Sequence, residues 1–229
     1  MAIDDTERVM ATPATVPVVA DPAPLGLAAF ALTTFVLSAH NAAAFGFGAP
    51  KYGNAVVIGL ALFYGGLAQF MAGMWSFRNR NTFTATAFST YGAFWLALGT
   101  YLALITFGKV PATDILPSLG WMLFAFFIFN TYMMIWALRT NVAVFLVFLT
   151  LGITELVLAL GFWNANTTLI HLGGWIGIVT AIVAWYTSAA DVITSMRGGR
   201  PYLPVGTPLW TESAVVSPTR PTTTTTVRR

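Results

Sequence analysis

The sequence predicts an all-α membrane protein of six transmembrane helices with both termini on the cytoplasmic side. Three observations carry that reading. Hydrophobic residues make up 57% of the 229-residue chain and charged residues only 8%, against roughly 25% charged in a soluble globular domain. So few charges do not cover a water-facing surface, and the bilayer is the solvent that fits. The apolar residues also fall in six continuous runs of about 20 residues, the length at which a helix crosses about 30 Å of hydrocarbon. Transmembrane strands would need alternating segments of about ten residues, and these runs are too long and too even for that. The third observation is the placement of basic residues. With the N-terminus inside, Arg78, Arg80, Arg139, Arg197 and Arg200 fall at cytoplasmic helix ends, and only Lys51 and Lys109 fall outside. The positive-inside rule favours that arrangement.

Residues 1–20 are rich in Pro, Thr and Ala and read as a disordered tail. They open with the acids Asp4, Asp5 and Glu7 and lack a basic segment before a long apolar core, so a cleavable signal peptide is not expected. The membrane domain occupies residues 21–200. Its first helix is expected from about Pro24 to Phe45. Asp21 can cap its first turn, and Pro22 and Pro24 suit a helix start. The second helix is expected from about Asn54 to Phe77, the third from Thr84 to Phe107 and the fourth from Leu116 to Leu138. The fifth runs from Val142 to Trp163 and the sixth from Leu169 to Val192. Gly, Asn, Pro and charged residues fill the breaks. Residues 201–229, with several prolines and the run Thr222–Thr226, read as a second disordered tail.

Helices in lipid associate through small residues that let backbones approach. The second helix carries Gly59, Gly65, Gly66, Ala68, Ala72 and Gly73; the sixth carries Gly173, Gly174 and Gly177, with GxxxG spacing from Gly173 to Gly177. These read either as packing inside one subunit or as an oligomer interface.

Polar side chains at membrane depth cost free energy, so each needs a reason. Glu155 is the only charged residue near the middle of a helix. It reads either as a group on an aqueous path that carries or gates a proton, or as a structural carboxyl hydrogen-bonded to a neighbouring helix. Asp191, near the cytoplasmic end of the sixth helix, reads as solvated or paired with Arg197. His40 with Asn41, and His171, are expected toward the outer face. A bis-His haem site is one reading of the histidines, and a hydrogen bond joining helix ends is the preferred one. Thr33, Thr34, Thr84, Thr86, Ser89, Thr90 and Tyr91 supply hydroxyls, with Asn130 and Thr131 as weaker candidates of the same kind. Membrane threonines often bond their own backbone, yet a small anion needs such donors along its way.

Several classes are excluded or disfavoured. The chain has no cysteine, which rules out disulfides, thiolate catalysis and Cys-type zinc sites. The basic residues are scattered singly, so nucleic acid is not an expected partner. No lysine lies mid-membrane, and no Walker A, HExxH or GxSxG pattern occurs. No pair of carboxylates lies at membrane depth to hold a metal. No catalytic residue, metal or cofactor is expected, and an enzyme is disfavoured.

The stretch Asp21-Pro22-Ala23-Pro24-Leu25-Gly26-Leu27 resembles the Asn-Pro-Ala-Pro-Leu-Gly-Leu signature of the acetate uptake transporter family, also called GPR1/FUN34/YaaH. The resemblance continues through Thr33-Thr34, His40-Asn41, Phe63-Tyr64-Gly65-Gly66-Leu67-Ala68-Gln69 and Asn81-Thr82-Phe83. It extends to Thr86-Ala87-Phe88, Tyr91-Gly92-Ala93-Phe94-Trp95 and His171-Leu172-Gly173-Gly174-Trp175-Ile176-Gly177. It covers about Asp21 to Met196. It implies six helices and a homohexamer in the plasma membrane, with a path in each subunit. It implies transport of acetate, succinate and related carboxylates, by proton symport or as an anion channel. The signature from Asp21 to Leu27 then forms the substrate entrance. Phe30, Tyr91 and Leu151 match the family's hydrophobic constriction. Thr33, Thr34, Asn41, Thr86 and Glu155 are the polar candidates along the path. Two positions depart from the family pattern: Asp21 replaces the motif's Asn, and Glu155 stands where an apolar residue is expected. A reading from another class is a non-transporting membrane sensor or adaptor whose tails bind partners.

Overall fold

Asparagine side chains start three of the helices. Asn81, Asn141 and Asn166 each stand extended before a helix and accept the backbone N–H three residues on, at 3.1, 2.9 and 3.1 Å. Each satisfies one of the four donors that a helix start leaves without an internal partner. The computed structural model describes residues 19–44 and 55–211, and among them there are six long apolar helices and no strand. They are α1 (Ala23–Asn41), α2 (Ala55–Arg78), α3 (Thr82–Thr106), α4 (Ala112–Ala137), α5 (Val142–Trp163) and α6 (Thr167–Met196). Each is long and apolar enough to span the bilayer.

The α5 bounds coincide with the expected ones, and the other ends shift by a few residues. Asp21 Oδ1 accepts the Ala23 N–H at 3.0 Å, while Pro22 occupies the position before the helix. At its far end α1 stops at Asn41 rather than Phe45, because Ala43 takes φ +50° and breaks the spiral; Phe45 itself lies outside the described residues. The start of α4 is four residues earlier than expected and leaves Pro117 inside the helix, which costs one backbone hydrogen bond near the start. Within α2, Phe63–Ala68 winds as a π-helix, a local widening common at functional sites.

Around the bundle, α1 packs against α6, α6 against α5 and α5 against α4; on its other side α1 packs against α2, and α2 against α3. Where the ring would close, the backbones of α3 and α4 scarcely meet. Aromatic side chains bridge the gap: Tyr91 and Phe94 of α3 lie 6.0 and 4.7 Å from Phe126 of α4, centroid to centroid.

The small residues of α6 serve packing inside the subunit. A Cβ added at Gly174 would lie 2.8 Å from the Ala42 Cα, and one at Gly173 would lie 2.7 Å from the Leu158 side chain. Gly173 and Gly174, with Gly177 against Ser38 of α1, therefore seat α6 between α1 and α5. Apolar side chains turned outward, among them Phe63, Trp75, Trp121, Trp175 and Ile182, suit a lipid surface.

The N-terminal tail expected over residues 1–20 lies almost wholly outside the described residues, as do residues 212–229. Residues 201–211, part of the other expected tail, run across the ends of α4, α5 and α6. The Ala143 N–H donates to the Val205 carbonyl, and the Leu209 and Trp210 N–H groups donate to the Leu138 carbonyl, each at 2.9 Å. Tyr186 Oη donates to the Pro204 carbonyl at 2.8 Å. The Trp210 ring stacks on Trp136, and the Arg139 guanidinium lies 5.5 Å from it. Proline and polar composition suggested disorder, but backbone donors and two indoles hold this part of the segment down.

Candidate functional site

Among the described residues, three cavities follow one another along α1 through the interior. The first, about 270 Å³, opens where α1, α3 and α5 begin; Asp21, Ala23, Asn81, Thr84 and Asn141 line it. The second, about 40 Å³, lies at mid-depth. The third, about 210 Å³, lies toward the other end and is lined by His40, Asn41, Leu98, Leu102 and Phe162 among others. Their order follows from α1: Leu27 faces the first cavity, Phe30 the first and second, Leu37 the second and third, and His40 the third.

Phe30, Tyr91 and Leu151 come from α1, α3 and α5 and meet between the first and second cavities, lining both. All three are buried, and the Phe30 and Tyr91 rings stand edge to face at 6.0 Å. Each helix delivers an apolar side chain to this level, so the narrowing is a ring of hydrocarbon with one polar atom, the Tyr91 hydroxyl. That hydroxyl lies 3.0 Å from Asn130 Oδ1 and 3.3 Å from Glu155 Oε1. Asn130 Nδ2 donates to the Phe148 carbonyl at 2.8 Å. The Asn130 amide reaches α5 because Gly152 leaves room: a Cβ there would stand 2.5 Å from Asn130 Nδ2.

The polar candidates divide. Thr34 and Glu155 line the middle cavity, and Asn41 lines the middle and third. Thr33 and Thr86 line none of the three. The Thr33 side chain instead fills the space over Gly65 of α2, where a Cβ would lie 2.6 Å from Thr33 Oγ1. Of the entrance motif, Asp21, Ala23 and Leu27 line the first cavity. Pro24 offers its carbonyl to Ser188 of α6 at 2.7 Å, and Gly26 lets α1 lie against the Phe88 ring. These two positions place α1 rather than face the cavity.

Two residues, Gln69 and Asp191, were not singled out for the path by the sequence, and a third, Asn130, was only a weaker candidate. Gln69, fully buried in α2, lines the first cavity, and its Oε1 receives no hydrogen bond among the described residues. Its signal was an amide in the middle of an apolar run. Asn130 proves to be the hub of the hydrogen-bond chain. Asp191 stands with Asp21 at the first cavity rather than against Arg197, whose guanidinium lies 5.1 Å from the Tyr202 ring. His40 lines the third cavity and His171 is exposed.

The N-termini of α1, α3 and α5 converge on the first cavity. Each contributes about +0.5 of partial charge at its own free N–H groups, a local field that favours an anion close to them. Asp21 and Asp191 oppose that field. Among the described residues no group of three or more His, Asp or Glu side chains comes together to hold a metal.

A model of the GPR1/FUN34/yaaH family matches residues 5–198. Acetate permease A of Emericella nidulans is 41% identical over 190 residues, covering 77% of this chain and 62% of that protein. The succinate-acetate/proton symporter SatP of Escherichia coli is 34% identical over 189 residues, covering 82% of this chain and 95% of that protein. The solved structure of the bacterial acetate channel SatP matches with a TM-score of 0.75 at 34% identity, covering 82% of this chain and 100% of that one. The chain spans somewhat less than two thirds of the length of the fungal relatives it matches.

Proposed function

The chain belongs to the GPR1/FUN34/yaaH family, and on that premise we propose that it moves acetate and related small carboxylates across the plasma membrane. It is a transporter and not an enzyme in this reading, and both termini lie in the cytoplasm. The observation that carries the proposal is the line of three cavities broken by Phe30, Tyr91 and Leu151.

The physical account runs from the mouth inward. Helix N-termini at the first cavity hold a carboxylate that has shed part of its water. Asn81, Thr84, Gln69 and Asn141 line that cavity with hydrogen-bonding groups. A mostly apolar vestibule with a few hydrogen-bonding groups, and no Lys or Arg among the described residues that line it, holds an anion weakly enough to release it. At the constriction the substrate meets hydrocarbon. The middle cavity, at about 40 Å³, has room for one or two waters, so passage requires Phe30, Tyr91 or Leu151 to change rotamer. A short methyl group needs little movement and a longer chain needs more, which gives preference for small acids. The path lies inside one subunit. The exposed apolar faces of α2, α4 and α6 are left for lipid and for neighbouring copies in a homohexamer. Proton symport and channel-like passage both fit this geometry.

The test is labelled flux into proteoliposomes with acetate, lactate and succinate at several pH values. Saturable acetate flux above that of protein-free vesicles is expected. Flux equal to that of empty vesicles would favour a sensor or adaptor. A counterflow signal whose size follows an imposed pH gradient marks symport, and its absence marks a channel.

A further inference from the structure

We propose that Glu155 stands as a neutral carboxylic acid whose proton fixes the Tyr91 hydroxyl, which makes it the residue that positions the constriction. The argument counts donors along one chain of contacts. The Phe148 carbonyl only accepts, so the Asn130 group 2.8 Å from it is the NH₂. That sets the amide's orientation and turns Oδ1 toward Tyr91. Oδ1 also only accepts, and it is the nearer of the two oxygens at the phenol, 3.0 Å against 3.3 Å for Glu155 Oε1, so the single phenol proton is assigned to Asn130. Glu155 Oε1 then lies 3.3 Å from a phenol oxygen whose proton is already placed. An ionised carboxylate would bring lone pairs against lone pairs there. A proton on Glu155 completes the chain: Glu155 donates to Tyr91, Tyr91 to Asn130, and Asn130 to the Phe148 carbonyl.

The surroundings agree. Glu155 is 2% exposed, and Oε2 is buried with no hydrogen-bond partner among the described residues. An isolated carboxylate in an apolar setting takes up a proton rather than bear the desolvation. Among the described residues no charged side chain other than Glu155 lines its cavity. From α3 the facing titratable group is Tyr91, and from α4 the nearest is Tyr132, beyond Phe129. α1 presents Thr34, Ser38 and Asn41 there, and α6 reaches the neighbourhood through Thr180, which pairs with Thr154. With the phenol held at both sides, the Tyr91 ring keeps its place against Phe30. The consequence for selectivity rests on the transport reading; the proton does not.

Two measurements test this. The protein has three glutamates, Glu7, Glu155 and Glu212, so carboxyl-¹³C glutamate labelling isolates few groups. Infrared spectra in lipid at about pH 7, well above the ordinary glutamate pKa, should show a protonated-acid carbonyl band that disappears in Glu155→Gln. The second is the acetate-to-butyrate flux ratio. Glu155→Gln supplies an N–H donor in the same place and keeps the wild-type ratio. Glu155→Leu removes the donor and lowers the ratio about tenfold, the order of one methylene of discrimination. A spectrum without that band, or with a band that survives in Glu155→Gln, overturns the proposal; so does Glu155→Gln behaving as Glu155→Leu. If wild type carries no acetate, the transport reading fails and the infrared spectrum still decides the proton. If Glu155→Leu does not fold, the spectrum and Glu155→Gln still decide.

Discussion

Replacing Phe30 with Ala tests whether the constriction sets the size of acid that passes. Phe30 is buried, lines both the first and the middle cavities, and meets the Tyr91 ring edge-on at 6.0 Å. Its removal joins a cavity of about 270 Å³ to one of about 40 Å³. Loss of a buried phenyl in a filled core costs about 3–5 kcal/mol. Here cavities already flank the ring, so about 3 kcal/mol or less is expected, within the roughly 5–15 kcal/mol that folded domains hold in reserve. The selectivity effect is separate. One methylene at a close-fitting apolar site is worth about 1–3 kcal/mol, and butyrate carries two more than acetate. The space of a phenyl ring accommodates both. The acetate-to-butyrate ratio, measured by competition for labelled acetate uptake in proteoliposomes, should fall at least about tenfold. Val57→Ala is the control, since Val57 is buried in α2 but lines none of the three cavities; it should destabilise without changing the ratio. A folded Phe30→Ala protein with the wild-type ratio would refute the reasoning.

Asp21→Asn removes a negative charge from the mouth of the first cavity. A charge on the order of 8 Å from the anion, in largely aqueous surroundings, is worth roughly 0.5–1 kcal/mol. The apparent KM for acetate should therefore fall about twofold to fivefold, and less in high salt; an unchanged or raised KM counts against an anion at that mouth. Gly152→Ala should push Asn130 off the Phe148 carbonyl and lower stability by about 1–3 kcal/mol, read as an earlier thermal transition in detergent. A transition at the wild-type temperature would show that the amide contact carries little. Asn141→Ala removes a cap and should cost about 1 kcal/mol while also reducing acetate affinity, since Asn141 lines the first cavity. If stability falls and affinity stays, the cap is structural only.

Much of the fold was legible because segment length in a bilayer is a hard constraint. The α5 ends coincide with the apolar run from Val142 to Trp163, since Asn141 and Asn164 interrupt it on both sides. The π-helical turn at Phe63–Ala68 had no separate signal, because Gly65 and Gly66 read equally well as packing residues. The expected start of α4 at Leu116 was too late; the helix begins at Ala112, and Pro117 sits in its second turn. Which polar residues face the interior was harder to read. A membrane helix is apolar on every face, so periodicity does not separate cavity from lipid. Thr33 and Thr34 are adjacent and buried, yet only Thr34 reaches a cavity. Thr86 reaches none, while Gln69 and Asp191, which carried no such expectation, line the first. Meeting points between helices far apart in sequence, such as Tyr91 with Asn130 and Glu155, depend on helix rotations that small-residue packing sets.

The absence of cysteine allows one measurement that tests transport and its route together. Leu151→Cys places a single thiol at the constriction, and Ile182→Cys places one on an outward face of α6. Labelled acetate uptake would be measured for each in proteoliposomes before and after a bulky methanethiosulfonate reagent. The account predicts saturable uptake in both proteins, lost on modification at position 151 and unchanged on modification at position 182. Uptake that survives complete modification at position 151, or never exceeds that of empty vesicles, would contradict it.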